Sequence, residues 1–268
     1  MSSVDPRDGG LDAPESGLTF TLRHAVPGLV GTAVLAVGAL GVGWLPLDGL
    51  AESPLMQTMR HTGIGVFVSH AAVILGGAVL LQALLVLGAD VLNGHIREVR
   101  RLWGVLALWV APLILAPPLF SRDVYSYFAQ GKLVLNGIDP YSNGVASIPG
   151  WFPDGVDPMW QDTPTPYGPV FLALERGVAA LAGDNPYLAV IAFRLLALGG
   201  VALLAFYVPR LAWHCGINAS KAVWLGVLNP LILMHFVLGA HNDALMVGLL
   251  VAGLTLAIIS PPFSGPDE

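Results

Sequence analysis

Apolar residues gather into long blocks along this chain, at about residues 25–47, 62–88, 102–119, 187–208, 222–238 and 244–259, with polar punctuation between them. A helix needs roughly 20 mostly apolar residues to cross the hydrocarbon of a bilayer. Within hydrocarbon every backbone polar group must find its partner inside the protein, which favours helices. The pattern therefore predicts an all-α, polytopic membrane protein with about six transmembrane helices. Its first block is too long for a signal peptide, whose apolar region is about 7–15 residues, and reads as a retained anchor. Residues 1–24, rich in Gly, Pro and acids, read as a disordered tail, and residues 260–268 as a second polar tail.

Two shorter segments carry a different pattern. In residues 123–135, Val124, Phe128 and Leu135 share one helical face, and Asp123, Tyr127 and Gln130 share another. This predicts a juxtamembrane helix lying on the bilayer, with Val124 and Phe128 toward lipid and Asp123 exposed. Residues 168–182 are too few for a lipid-exposed crossing, and Glu175 and Arg176 stand in their middle. They predict a second interfacial or re-entrant helix, entered through Pro169 near its first turn.

Composition agrees with a bilayer environment. Of the 268 residues, 55% are hydrophobic and 11% charged, against roughly 25% charged in soluble domains. A net charge of −6 offers no basic patch for nucleic acid. The single cysteine, Cys215, has no intramolecular partner, and no His or Cys pairs with carboxylates at metal-ligand spacing, so neither metal nor cofactor is expected. Arg97, Arg100 and Arg101 lie in one connector and Arg210, His214 and Lys221 in another. The positive-inside rule makes both cytoplasmic, which places the N-terminus inside and residues 121–187 outside. That outer connection holds three basic and seven acidic residues. The expected location is the cytoplasmic membrane, crossed several times.

Candidate chemistry concentrates on the outer side. Asp123 follows an apolar block closely, although an acid in a first turn also simply complements the helix dipole. Arg194 sits inside the fourth block, where a charge costs at least about 2.5–3.5 kcal/mol unless it meets an anion, a cavity or the headgroups. "GAHNDALM", residues 239–246, aligns His241, Asn242 and Asp243 at the outer start of the last block, where Asn242 or Asp243 also serves as an N-cap. Trp151, Trp160 and Tyr167 have the chemistry to stack on a sugar or a prenyl chain, and equally that of interfacial anchors.

"RDVYSYFAQGKLVLNGIDPY", "TPTPYGPVFLALE", "IAFRLLALGG" and "GAHNDALM", in this order, resemble the polyprenol-phosphomannose-dependent α-1,6-mannosyltransferases of actinobacteria. These are integral-membrane glycosyltransferases of the GT-C fold. The resemblance is strong from about residue 102 to 259 and weak before. It implies a polyprenyl-phosphate mannose donor, a lipid-anchored mannan acceptor and chemistry on the outer face of the cytoplasmic membrane. By the family pattern Asp123 is the general base. Arg194, His241 and Arg122 are then candidates for the donor phosphate, with Tyr127, Trp160, Tyr167, Asn242 and Asp243 as supporting groups. Members of that family continue with further spans after the "HND" helix, so the sequence reads as a shortened or N-terminal portion whose missing spans a second polypeptide would supply. Two other classes stay open on sequence alone: a transporter or flippase for a lipid or glycolipid, and a non-catalytic or inactive remnant.

Overall fold

A computed structural model describes residues 17–47 and 49–259. Helix α1, Gly17–Phe20, runs through a π-turn, Thr21–Ala25, into α2, Val26–Val42, so that the three make one 26-residue apolar rod. Residues 17–24, expected as the end of a disordered tail, are therefore helical, while residues 1–16 and 260–268 of the expected tails lie outside the described residues. Helix α3, Pro54–His61, is an unforeseen short helix, capped by the Ser53 hydroxyl, which accepts from the Met56 amide at 3.4 Å. Thr62 caps the 30-residue α4, Gly63–Leu92, in the same way, accepting from Gly65 at 3.0 Å. Such caps satisfy amide donors that have no partner in the first helical turn.

Helix α5, Val99–Val110, ends in a 3₁₀ turn at Ala111–Leu113, because Pro112, Pro117 and Pro118 deny the helix amide donors. The expected third span is thus shorter than a full crossing. After it come α6, Asp123–Leu135, and α7, Pro169–Ala182, then α8, Pro186–His214, a 29-residue helix capped by Asn185. The expected fifth span is broken. Helix α9, Ala219–Gly226, stops before Asn229 and Pro230, and a π-helix, Ile232–Leu238, follows. The residue before a proline is pushed out of helical geometry. Helix α10, Asp243–Ile259, leaves this π-helix at a bend of 114°. Among the described residues three helices are long and apolar enough to cross a membrane, or four with the bent pair counted as one span, against the six expected. No strand forms among them.

Two cores result. The larger joins α2, α4, α5, α8, α9 and the π-helix through Leu35, Leu80, Leu87, Trp109, Leu204 and Val237. Here α2 and α4 touch through glycines: a β-carbon on Gly31 would lie 2.8 Å from the Leu80 amide, and one on Gly76 2.6 Å from that of Leu35. Small residues give membrane helices this close packing, which the hydrophobic effect cannot drive between apolar surfaces in lipid. Buried Trp109 donates to the Ala25 carbonyl at 2.9 Å, and Trp224 to that of Leu84 at 2.9 Å.

The smaller core is a cap over one end of the bundle. It comprises α6, α7, the loop between them and the first turns of α8. Helix α6 does not lie on lipid, as its spacing predicts. Val124 and Phe128 are fully buried in the cap, where Val145, Ile148, Val156, Val178 and Phe193 surround them, while Leu135 stays exposed. Gly131 permits this, since a β-carbon there would stand 2.3 Å from the Glu175 carbonyl oxygen of α7. Cations fasten the loop. Lys132 pairs with Asp154 at 2.9 Å, and Arg122 donates to the Gly155 and Val156 carbonyls at 2.7 Å each.

Candidate active site

Asp123 is the first residue of α6, and the Ser121 hydroxyl accepts its amide at 3.0 Å. Its carboxylate opens into a pocket of about 110 Å³ together with Ser126, Tyr127, Gln130, Trp160, Thr163 and Tyr167. Three of these, Asp123, Tyr127 and Gln130, form the polar face that helical spacing predicts. Beside the pocket, Asp123 and Tyr127 also meet the junction between the π-helix and α10, residues more than a hundred positions away.

From that junction His241 turns Nδ1 toward Asp123 Oδ2 at 3.7 Å and Asp243 Oδ2 at 4.0 Å. Both separations are longer than a hydrogen bond. The side chains are partly buried, with 17% of His241 and 34% of Asp123 exposed. Tyr127 donates its hydroxyl to Asn242 Oδ1 at 3.4 Å, and its ring meets Tyr167, Phe171 and Phe193 edge-on at 5.3–5.6 Å. Burial, then the neighbouring Tyr167 and Asp123, push the Tyr127 phenol far above its ordinary pKa, so it acts as a neutral hydrogen-bond donor. Burial raises Tyr167 too. Thr165 Oγ1 donates to Gln130 Oε1 at 2.9 Å and accepts from the Tyr167 amide at 3.2 Å, which fixes the pocket's far wall.

Two non-glycine residues with left-handed backbone flank the acid and the imidazole: Phe120, at φ 72°, and Ala240, at φ 53°. Each such residue costs on the order of 1–3 kcal/mol, and strain of this kind concentrates at functional sites. Here it turns the chain sharply just before Asp123 and just before His241.

Asp123, Tyr127, Trp160, Tyr167, His241, Asn242 and Asp243 thus converge, and three expected residues do not. Arg194 is 0% exposed, and its guanidinium donates to the carbonyls of Ile114 (2.7 Å), Ala116 (2.8 Å), Val237 (2.9 Å) and Leu238 (2.8 Å). The Ile114 carbonyl lacks a helical partner because Pro118 has no N–H, and those of Val237 and Leu238 stand at the end of the π-helix. The role expected for Arg194 at a phosphate gives way to that of a staple joining two broken helices. Arg122, bonded to the loop carbonyls and stacked 4.5 Å from the Trp44 ring centre, is likewise turned from the pocket. Trp151 packs against the cap core instead of lining the pocket.

Sequence reasoning did not single out Ser126, Thr163 or Thr165, whose short polar side chains carry no distinctive pattern. It also missed the state of Glu175. This residue is 0% exposed on α7, neither carboxylate oxygen has a hydrogen-bond partner among the described residues, and burial raises its pKa to about 9.

Comparison with known proteins gives the site its context. The family described as alpha-(1->6)-mannopyranosyltransferase, N-terminal domain, matches residues 25–265. An alpha-(1->6)-mannopyranosyltransferase of Mycobacterium tuberculosis is 38% identical over 95% of this chain and 43% of its own length. Alpha-(1->6)-mannopyranosyltransferase A of the same organism is 41% identical over 86% of this chain and 45% of its own. The corresponding protein A of Corynebacterium glutamicum is 34% identical over 84% and 47%. No solved structure matches. The chain spans a little under half the length of these curated relatives. A match of this extent, running through the cap, the staple and the His241 loop alike, makes the chain a member of the alpha-(1->6)-mannopyranosyltransferase family through that family's N-terminal domain.

Proposed function

We propose that this chain carries the catalytic face of a mannosyltransferase that moves mannose from a polyprenyl-phosphate donor to a lipid-anchored mannan on the outer face of the cytoplasmic membrane. The observation that carries the reading is the meeting of Asp123, which lines a polar and aromatic pocket, with His241 at 3.7 Å. Asp123 takes the proton of an acceptor hydroxyl as that oxygen attacks C1 of the donor mannose. The C1–O bond to phosphate breaks in the same step, and polyprenyl phosphate leaves with the electron pair. Attack opposite the leaving group inverts the configuration at C1. His241 presents an N–H donor for the departing phosphate, the group on which negative charge accumulates. Asn242 positions Tyr127, and Trp160 and Tyr167 offer ring faces to a sugar.

Supporting this topology, Arg97 precedes α5 and Arg100 and Arg101 stand in its first turn, at the chain end of that helix away from Asp123, a distribution that by the positive-inside rule favours a cytoplasmic N-terminus. The test is transfer from labelled polyprenyl-phosphate mannose to a mannan primer in membranes containing the protein, with Asp123→Asn alongside. Turnover is expected to vanish in the variant at unchanged thermal stability, and undiminished turnover removes the assignment of the base.

A further inference from the structure

His235 stands apart from the residues assigned so far. It lies in the apolar π-helix, Ile232–Leu238, is exposed, and makes no hydrogen bond or ion pair among the described residues. Its ring centre is 6.4 Å from that of His241, at an interplanar angle of 55°, and 5.7 Å from that of Phe120. Phe120 is 49% exposed and has the left-handed backbone noted above. An imidazole and a bare aromatic ring therefore share the rim of the site, at the level where the apolar bundle gives way to the cap. A polar side chain on the apolar surface of a membrane protein is expensive without a partner, and its presence there marks a functional position.

We propose that His235 is a second phosphate-binding residue, forming with His241 a two-imidazole clamp for the phosphate of a prenyl-phosphate lipid, with Phe120 packed on the first isoprene units. This rests on the lipid-phosphate reading of the site. Three features carry it. The two nearby guanidiniums are committed elsewhere, Arg194 to four carbonyls and Arg122 to two. The two imidazoles then remain on this rim as N–H donors, beside the Asn242 amide. Rings tilted to one another at this separation leave room for a tetrahedral oxyanion between them, each donating to a different oxygen at roughly 2.8 Å. Finally, the approach past Phe120 and the π-helix is apolar, which suits a phosphate carried on a hydrocarbon chain rather than a dissolved one.

Binding of farnesyl phosphate and of farnesol to the protein in nanodiscs tests this, with His235→Gln, His235→Arg and His241→Gln compared at matched thermal stability. His235→Gln is expected to weaken farnesyl phosphate about tenfold and leave farnesol unchanged. His235→Arg, which keeps a phosphate donor, is expected to retain binding, and a folded arginine variant no better than the glutamine one overturns the assignment. Unchanged affinity in His235→Gln, with weakening in His241→Gln, overturns the clamp and leaves the site reading intact. Farnesol bound as tightly as farnesyl phosphate by the unaltered protein overturns both. Displacement of farnesyl phosphate by equal inorganic phosphate overturns the lipid source.

Discussion

Replacing Glu175 by glutamine exchanges a buried carboxyl for a neutral group of nearly the same shape. In the folded protein burial raises the pKa of this acid from an ordinary 4.5 to about 9. The folded state therefore holds a proton that the unfolded chain releases, and stability falls as pH rises between those two values. The loss is about 1.4 kcal/mol for each pH unit, or about 4 kcal/mol near pH 7.5. It stops growing once the folded-state acid itself ionises, near 9. Below 4.5 the penalty is absent, because both states are protonated. Glutamine cannot ionise, so the variant is expected to be more stable at neutral pH and equally stable near pH 4. Thermal unfolding in detergent, followed by intrinsic fluorescence from pH 5.5 to 8.5, reads the difference. For a chain of this size 1 kcal/mol moves Tm by roughly 2–4 °C, so the gap between the two proteins should widen by several degrees across that range. Every other titrating group is common to both, and the difference isolates Glu175. Parallel curves, or a glutamine variant less stable at pH 8, would refute the claim that this carboxyl is buried neutral and unpaired.

Arg194→Met removes the donor from four main-chain carbonyls; that of Val237 keeps the Ala240 amide at 3.2 Å, while the others each cost about 1–3 kcal/mol when left unmatched, so folded yield and Tm should drop sharply. Arg194→Lys should not rescue it, because an ammonium has three donors and no planar fork; a lysine variant that melts like the parent would count against the staple. Gly131→Val drives a side chain into the Glu175 backbone, where even a β-carbon would stand 2.3 Å from the carbonyl oxygen. Overpacking of this kind costs about 1–3 kcal/mol, visible as a lowered Tm. In Gly239→Ala the new methyl would stand 2.6 Å from the His235 carbonyl oxygen and 2.7 Å from the His241 ring. Transfer activity should fall by more than tenfold together with Tm, and unaltered activity would show that the position of His241 does not matter.

The amino-acid sequence by itself determined the helical class, the bilayer environment and which polar residues were worth watching. Long apolar blocks have one stable state in hydrocarbon, and polar residues placed in or beside them stand out against that background. Helix ends were largely written locally too, in Thr62, Asn185 and Asn218 as caps and in Pro117, Pro118 and Pro230 as stops. Spacing along α6 correctly grouped Asp123, Tyr127 and Gln130 on one face. It misjudged what the opposite face meets, because Val124 and Phe128 satisfy a protein core as readily as lipid, and periodicity does not distinguish the two.

What only the tertiary structure decided is partnership. Arg194 within an apolar helix needed many acceptors, and whether these were phosphate oxygens or main-chain carbonyls depended on where two other helices break. Glu175 looked like an interfacial charge until the close approach of α6 at Gly131 sealed it away from water. Asp123 and His241, 118 positions apart in sequence, become neighbours only because two strained turns deliver them to the same rim. Hydrophobicity and helical period are properties of a segment. Which buried polar group meets which donor is a property of the packing between segments, and that is where this site is made.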